Sequence, residues 1–333
     1  MTLKERIDGF TELGDVLSSR DNDLSEVLYK TETHNPWFTK LNCELMLENL
    51  TENFFEREKL RSWSEKYGSL PEKNKTVGLV LAGNVPFVGM HDILSVIISG
   101  NKARVKLSSK DVFFFPWLHK QLIDINKEFG EKLLFVEKLE NFDAVIATGS
   151  NNSARYFEYY FGKYPHIIRK NRTSIAILSG NESDEELYKL GKDVFYFYGL
   201  GCRNVSKIYF PELFDRQKLF RVWEDFRYIS ENTKYNNNFD YNRAILLLNQ
   251  TPYLTNDFFM LQETDKLFSP ISVLFCETYN DEQDLNNKIV ALGENIQCVV
   301  AKSDGNTDFG QTQFPKLGNY ADNVDTMEFL KNL

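Results

Sequence analysis

Apolar positions along the first 70 residues recur three and four apart. Leu41, Leu45, Leu47 and Leu50, followed by Phe54, Phe55 and Leu60, predict amphipathic helices whose role is packing. The texture changes after Pro71. Thr76–Ala82 is a continuous apolar run, as expected of a strand buried on both faces. The turn Gly83-Asn84-Val85-Pro86 and a helix from Gly89 to Ile98 follow, stopped by Gly100-Asn101. Further strands are expected at Ala103–Leu107, Leu133–Val136 and Ala144–Ala147, with helices at Pro116–Phe129 and Ser153–Gly162. Strands alternating with helices predict an α/β fold: a nucleotide-binding, doubly wound parallel sheet.

A second unit starts at Ser174–Leu178. A helix from Asp184 to Tyr198 ends at Gly199-Leu200-Gly201-Cys202, and Lys207–Phe210 reads as the next strand. Arg243–Leu248, Ile271–Glu277 and Cys298–Ala301 also read as strands, with a helix at Asp281–Leu292. The expected division is residues 1–172 for the helices and nucleotide-binding domain, 173–305 for a second α/β domain carrying Cys202, and 306–333 for a turn-rich tail.

Composition narrows the function. Hydrophobic residues make up 42% and charged residues 26% of 333 positions, which is ordinary globular composition. A net charge of −9, with Lys and Arg scattered among acids, argues against a nucleic-acid footprint. The N-terminus carries no apolar signal core and no run is long enough to span a bilayer, so a cytoplasmic location is expected. The four cysteines contain no C-x-x-C pair, so neither a zinc site nor a disulfide framework is suggested. His34, His91, His119 and His166 share no spacing that makes a metal or triad pattern.

Cys202 is the leading chemical candidate. It lies in a glycine-rich turn beside Arg203, a setting that favours the thiolate nucleophile. Cys43, Cys276 and Cys298 lie inside apolar patterns and read as core. Asn84 follows the carboxyl end of a strand, where open α/β sheets bind ligands, and its amide can donate to an oxyanion. Lys106, Ser108 and Ser109 close the second strand and suit ribose hydroxyls or a 2′-phosphate. No acid precedes Asp111 there, which leans the reading toward NADPH. Gly149 and Ser150 form another strand-to-helix turn where backbone can approach a cofactor. There is no G-x-G-x-x-G, so a conventional Rossmann dehydrogenase is disfavoured.

The order Asn84-Val85-Pro86-Phe87, Val105-Lys106, Thr148-Gly149-Ser150 and Gly201-Cys202 resembles the aldehyde dehydrogenase superfamily. Leu267-Phe268-Ser269-Pro270 resembles that superfamily's E-x-F-G-P segment. GNVPFVG, ATGSNNSARYF, GLGCRNVSKIYF and NYADNVDTMEFL are similar to the long-chain acyl-CoA reductases, the family of the bioluminescence fatty-acid reductases. The resemblance covers the chain from about Val77 onward. It implies an aldehyde dehydrogenase-like fold and an acyl-accepting Cys202. Asn84 and the Cys202 N–H would form the oxyanion hole, Lys106 with Ser108 or Ser109 would hold the adenosine ribose, and Gly149 and Ser150 would face the cofactor.

Two departures stand out. The stretch Ile167–Arg172 has no acid where hydrolytic relatives carry their water-activating glutamate, which fits reduction without hydrolysis. Lys266 stands where the cofactor-ribose glutamate is expected. The implied function is NADPH-dependent reduction of a fatty acyl thioester, from acyl-CoA or an acyl carrier, to the aldehyde. Partners would be a second copy or an acyl-supplying protein. The alternatives are an acyltransferase using Cys202 without nicotinamide, and a non-catalytic scaffold subunit.

Overall fold

The computed structural model describes residues 1–302 and 306–333. The chain divides into two compact units, residues 1–171 with 315–333 and residues 172–314. The expected boundary between second domain and tail falls on residues 303–305, outside the described residues.

The first unit opens with helices α1 (Leu3–Ser19), α2 (Asn22–His34), α3 (Lys40–Asn49) and α4 (Arg57–Glu65). A capping box between Thr2 and Glu5 starts α1, and Asp21 caps α2 by accepting from the Leu24 amide. Phe10, Leu13 and Leu17 form the buried stripe of α1. The alternating segment then runs β1 (Thr76–Val80), α5 (Met90–Ile98), β2 (Lys102–Lys106), α6 (Phe114–Ile125), α7 (Phe129–Lys132), β3 (Leu133–Phe135), β4 (Ala144–Thr148), α8 (Asn151–Phe161) and β5 (His166–Arg169). Every pairing in this sheet is parallel, in the order β3-β2-β1-β4-β5. That is the doubly wound arrangement expected from the alternation. β5 adds an edge strand that the sequence pattern does not announce, because it is four residues long and begins with an exposed histidine.

The second unit runs β6 (Thr173–Ile177), α9 (Asp184–Phe195), β7 (Val205–Pro211), α10 (Gln217–Val222), α11 (Thr233–Leu248), β8 (Leu254–Thr255), β9 (Met260–Glu263), β10 (Val273–Tyr279), α12 (Glu282–Leu292) and β11 (Ile296–Val300). Its sheet has the order β11-β6-β7-β10-β9-β8, parallel except for the β8–β9 pair. Arg243–Leu248 corrects the sequence reading, since it forms the end of α11 and not a strand. Asn232 caps this helix through the Lys234 and Tyr235 amides, and Tyr235, Phe239 and Leu246 form its buried face. A mostly apolar run of six does not separate strand from helix; the Asn232 cap eleven residues upstream of the expected strand does.

The last stretch divides between the units. Residues 306–314 belong to the second, where the buried Asp193 carboxylate accepts from the Gly310 amide (2.6 Å), the Thr312 amide (3.0 Å) and the Thr312 hydroxyl (2.8 Å). Residues 315–333 belong to the first and end in helix α13 (Thr326–Lys331), capped by Asp325. Tyr320 receives the Trp63 indole N–H at 2.8 Å and meets the Tyr67 hydroxyl at 2.6 Å. Arg169 donates to Asp92 on α5 at 2.6 Å and to the Thr326 hydroxyl at 3.1 Å, forming a buried ion pair. Arg169, from the acid-free stretch 167–172, is thus a structural tie within the first unit.

Candidate active site

Strand order in the first unit reverses between β1 and β4, and a crevice at such a reversal is where open α/β sheets bind ligands. Three candidate loops leave the carboxyl ends of the adjacent strands β2, β1 and β4. The Leu81 amide donates to the Lys106 carbonyl at 3.1 Å, so the β1 and β2 loops start side by side. A Cβ on Gly83 would lie 2.2 Å from the Ser108 hydroxyl oxygen and 2.7 Å from its Cβ. Only glycine lets the Asn84 turn lie this close against residues 108–110.

Asp111 clamps these two loops together. Its buried carboxylate accepts from the Phe87 amide at 2.8 Å, and its own amide donates to the Ser108 carbonyl at 3.1 Å. Burial pushes its carboxyl up to about 7, against the opposing effect of the Phe87 amide. From the helical layer, His34 Nε2 lies 2.8 Å from the Ser109 carbonyl and Asn35 donates to the Lys110 carbonyl at 3.4 Å. Nothing in the local sequence gives Asp111, His34 or Asn35 a role in holding these loops. His34 and Asn35 lie about 75 residues from the loop they hold, and no local pattern records that contact.

The exposed Lys106 ammonium donates to the Glu137 carbonyl at 2.6 Å. The Ser108 hydroxyl accepts from the Lys110 amide at 3.3 Å. Ser150 is the N-cap of α8, accepting from the Ser153 amide at 3.2 Å. A Cβ on Gly149 would lie 2.8 Å from Ser153 Cβ and 2.9 Å from the Phe157 ring, which fixes glycine at the turn. An ammonium, three serine hydroxyls and a helix N-terminus are a donor set that suits the ribose and phosphates of a dinucleotide.

Cys202 belongs to the second unit, in the turn between α9 and β7. It is half-buried, whereas Cys43, Cys276 and Cys298 are buried, and all four are free thiols. Burial pushes the Cys43 and Cys276 thiols up, Cys276 to about 12, which leaves both protonated and unreactive at neutral pH. After α9 the chain passes through three left-handed residues, Phe197 (φ 52°), Tyr198 (φ 58°) and Gly199 (φ 74°). Two of the three are aromatic, and the turn is therefore strained.

Buried polar side chains brace this turn. Asn204 accepts from the Gly201 amide at 2.9 Å and donates to the Asp193 and Tyr196 carbonyls at 3.0 and 2.8 Å. Ser174 donates to the Cys202 carbonyl at 3.1 Å. Arg203 reaches the Cys298 sulfur at 3.4 Å. From the start of β7, Ser206 donates to the Leu267 carbonyl at 2.9 Å, and the buried Lys207 donates to the Asp265 carbonyl at 3.0 Å and to Glu277 at 2.5 Å. These bonds anchor the 265–267 loop that contains Lys266. Among the described residues, no cluster of His, Cys, Asp or Glu is arranged to hold a metal ion, and no helix is long and apolar enough to cross a membrane.

The family model described as acyl-CoA reductase (LuxC) matches residues 21–212, more than half of the chain. The chain belongs to this family. Among its relatives, the long-chain acyl-protein thioester reductase of Photorhabdus laumondii is 24% identical over 207 residues, covering 56% of this chain and 42% of the relative. Long-chain acyl-protein thioester reductase 2 of Photobacterium leiognathi is 26% identical over 208 residues, covering 56% and 43%. The chain spans less than half the length of these curated relatives it matches.

The fold of this acyl-CoA reductase family member is that of the aldehyde dehydrogenases. An aldehyde dehydrogenase of Mycobacterium tuberculosis, complexed with NAD+, superposes with a TM-score of 0.65 over 90% of this chain and 73% of that one, at 14% identity. Aldehyde dehydrogenase 21 of Physcomitrella patens, in complex with succinate, also gives 0.65 over 91% and 74%, at 14% identity. The matched family region contains Asn84, Lys106, Ser108, Ser109, Gly149, Ser150 and Cys202.

Proposed function

We propose that this protein reduces a fatty acyl thioester, carried by CoA or an acyl carrier, to the free aldehyde through an acyl-Cys202 intermediate. The observation that carries this reading is the Cys202 turn: the half-buried thiol among four, braced by buried polar groups, within the region matched by the reductase family.

In this reading the Cys202 thiolate attacks the acyl carbonyl carbon. A new C–S bond forms, the donor's C–S bond breaks, and the departing thiolate takes a proton from solvent. Asn84, by the family resemblance, donates to the oxyanion together with the Cys202 amide. When bound, NADPH supplies the hydride that takes the enzyme thioester to the aldehyde level. Collapse of the resulting thiohemiacetal releases the aldehyde and regenerates the Cys202 thiol. Lys106, Ser108 and Ser109 would hold the adenosine ribose, and Gly149 and Ser150 would lie against the cofactor. NADPH is favoured over NADH because residues 106–110 contain two lysines and no acid, while the nearby Asp111 carboxyl is buried against the Phe87 amide. The same reading places the protein in the cytoplasm, acting with a second copy or an acyl-supplying partner.

The test is single-turnover mixing with radiolabelled long-chain acyl-CoA, with and without NADPH, for wild type and Cys202→Ala. Label on wild type, released as aldehyde only with NADPH and missing from the variant, is expected. Bound label that NADPH cannot discharge would mean an acyltransferase, and no label at any chain length would mean a scaffold.

A further inference from the structure

Two buried polar side chains grip the backbone on either side of Cys202. Asn204 and Ser174 are 2% and 0% exposed, so each must satisfy its polar atoms inside the protein. The Asn204 side-chain oxygen accepts from the Gly201 amide at 2.9 Å. Its amide group donates at 2.8–3.3 Å to the carbonyls of Asp193, Val194 and Tyr196, where α9 ends and the left-handed residues begin. One side chain thus ties the strained exit of α9 to the residue before Cys202.

Ser174 works from the other side. Its hydroxyl donates to the Cys202 carbonyl at 3.1 Å and accepts from the Cys298 amide on β11, also at 3.1 Å. Both ladders of β6 are irregular at this level. Pairing with β7 shifts between Ser174 and Ile175, and pairing with β11 shifts between Ile296 and Val299. The Cys298 amide, displaced from regular pairing, is satisfied by the serine hydroxyl, and the same hydroxyl fixes the Cys202 peptide. A regular strand would need neither the slip nor the serine. Irregular pairing of this kind recurs beside active sites because it re-aims a neighbouring group.

We infer that Ser174 and Asn204 are positioning residues for the Cys202 nucleophile, holding the Gly201 amide on one side and the Cys202 carbonyl on the other so that the thiol keeps the attacking geometry. This rests on the proposed role of Cys202. A shift of about 1 Å in a nucleophile costs on the order of 100-fold in rate while leaving substrate binding largely intact.

The test uses the full chain and radiolabelled acyl-CoA. It compares Ser174→Ala, Asn204→Ala, Asn204→Asp and Cys202→Ala with wild type for single-turnover acylation rate, KM for the thioester and urea unfolding midpoint. Folded Ser174→Ala should acylate about 10- to 100-fold more slowly with KM within about twofold. Asn204→Asp keeps the acceptor for the Gly201 amide and should acylate faster than Asn204→Ala. If Asn204→Ala fails to fold, Ser174→Ala and Asn204→Asp decide. Wild-type acylation by the folded Ser174 and Asn204 variants, with Cys202→Ala inert, would overturn the positioning role alone. Normal labelling of Cys202→Ala would instead overturn the nucleophile assignment on which it rests.

Discussion

The Asp111 carboxylate accepts the Phe87 amide hydrogen at 2.8 Å, and Phe87 is held in a left-handed conformation with φ of 56°. The bond joins the loop after β2 to the loop after β1 that carries Asn84. Burial raises this carboxyl from 3.8 to about 7. Between these values the folded protein retains a proton that the unfolded chain has lost, so this group's contribution to stability falls as pH rises. Wild type should therefore lose on the order of 4 kcal/mol relative to Asp111→Asn between pH 4 and pH 8. Urea unfolding of both proteins across that range measures the difference. A flat difference would show that Asp111 ionises as freely in the folded state as in the unfolded chain.

Gly83 should not tolerate a side chain. Gly83→Ala drives a methyl group to within 2.7 Å of Ser108 Cβ, so the Asn84 turn must lift off the β2 loop. The expected cost is about 1–3 kcal/mol of stability together with weaker nicotinamide-nucleotide binding. Adding Ser108→Gly removes the obstructing atoms and should recover most of both losses. Thermal unfolding and fluorescence titration of the double-mutant cycle read this directly, and additive losses would count against the contact.

Lys106→Ala should weaken NADPH binding about 10- to 100-fold, the worth of a charge-assisted bond to a phosphate, and NADH binding much less. Calorimetric titration with both cofactors separates the two. Equal losses would place the lysine on the shared part of the dinucleotide and remove the argument for NADPH.

The Arg169–Asp92 pair ties β5 to α5 with both side chains at least nine-tenths buried. Removing one partner strands a charge, so Arg169→Met should cost about 3–5 kcal/mol. Replacing both, as Arg169→Met with Asp92→Leu, should cost much less because no unpaired charge remains. Urea denaturation of the two variants provides the comparison; equal losses would mean that packing, and not charge, dominates the site.

Local chemistry made much of this protein legible in its sequence. The apolar run at Thr76–Ala82, alternating with amphipathic helices, is enough to specify a doubly wound parallel sheet, because a strand buried on both faces has few other uses. The turns after β1, β2 and β4 and the glycine turn before Cys202 were visible because glycine, asparagine and serine concentrate where a strand must reverse. Short elements were not. Arg243–Leu248 became helix because the Asn232 cap and the Tyr235, Phe239 and Leu246 stripe extend a pattern that six residues alone cannot declare. Only tertiary structure decided the braces of the candidate site: His34 on Ser109, Asp111 on Phe87 and Ser174 on Cys202. The physical reason is that buried polar atoms must find partners wherever the fold brings them, and sequence spacing does not record those contacts.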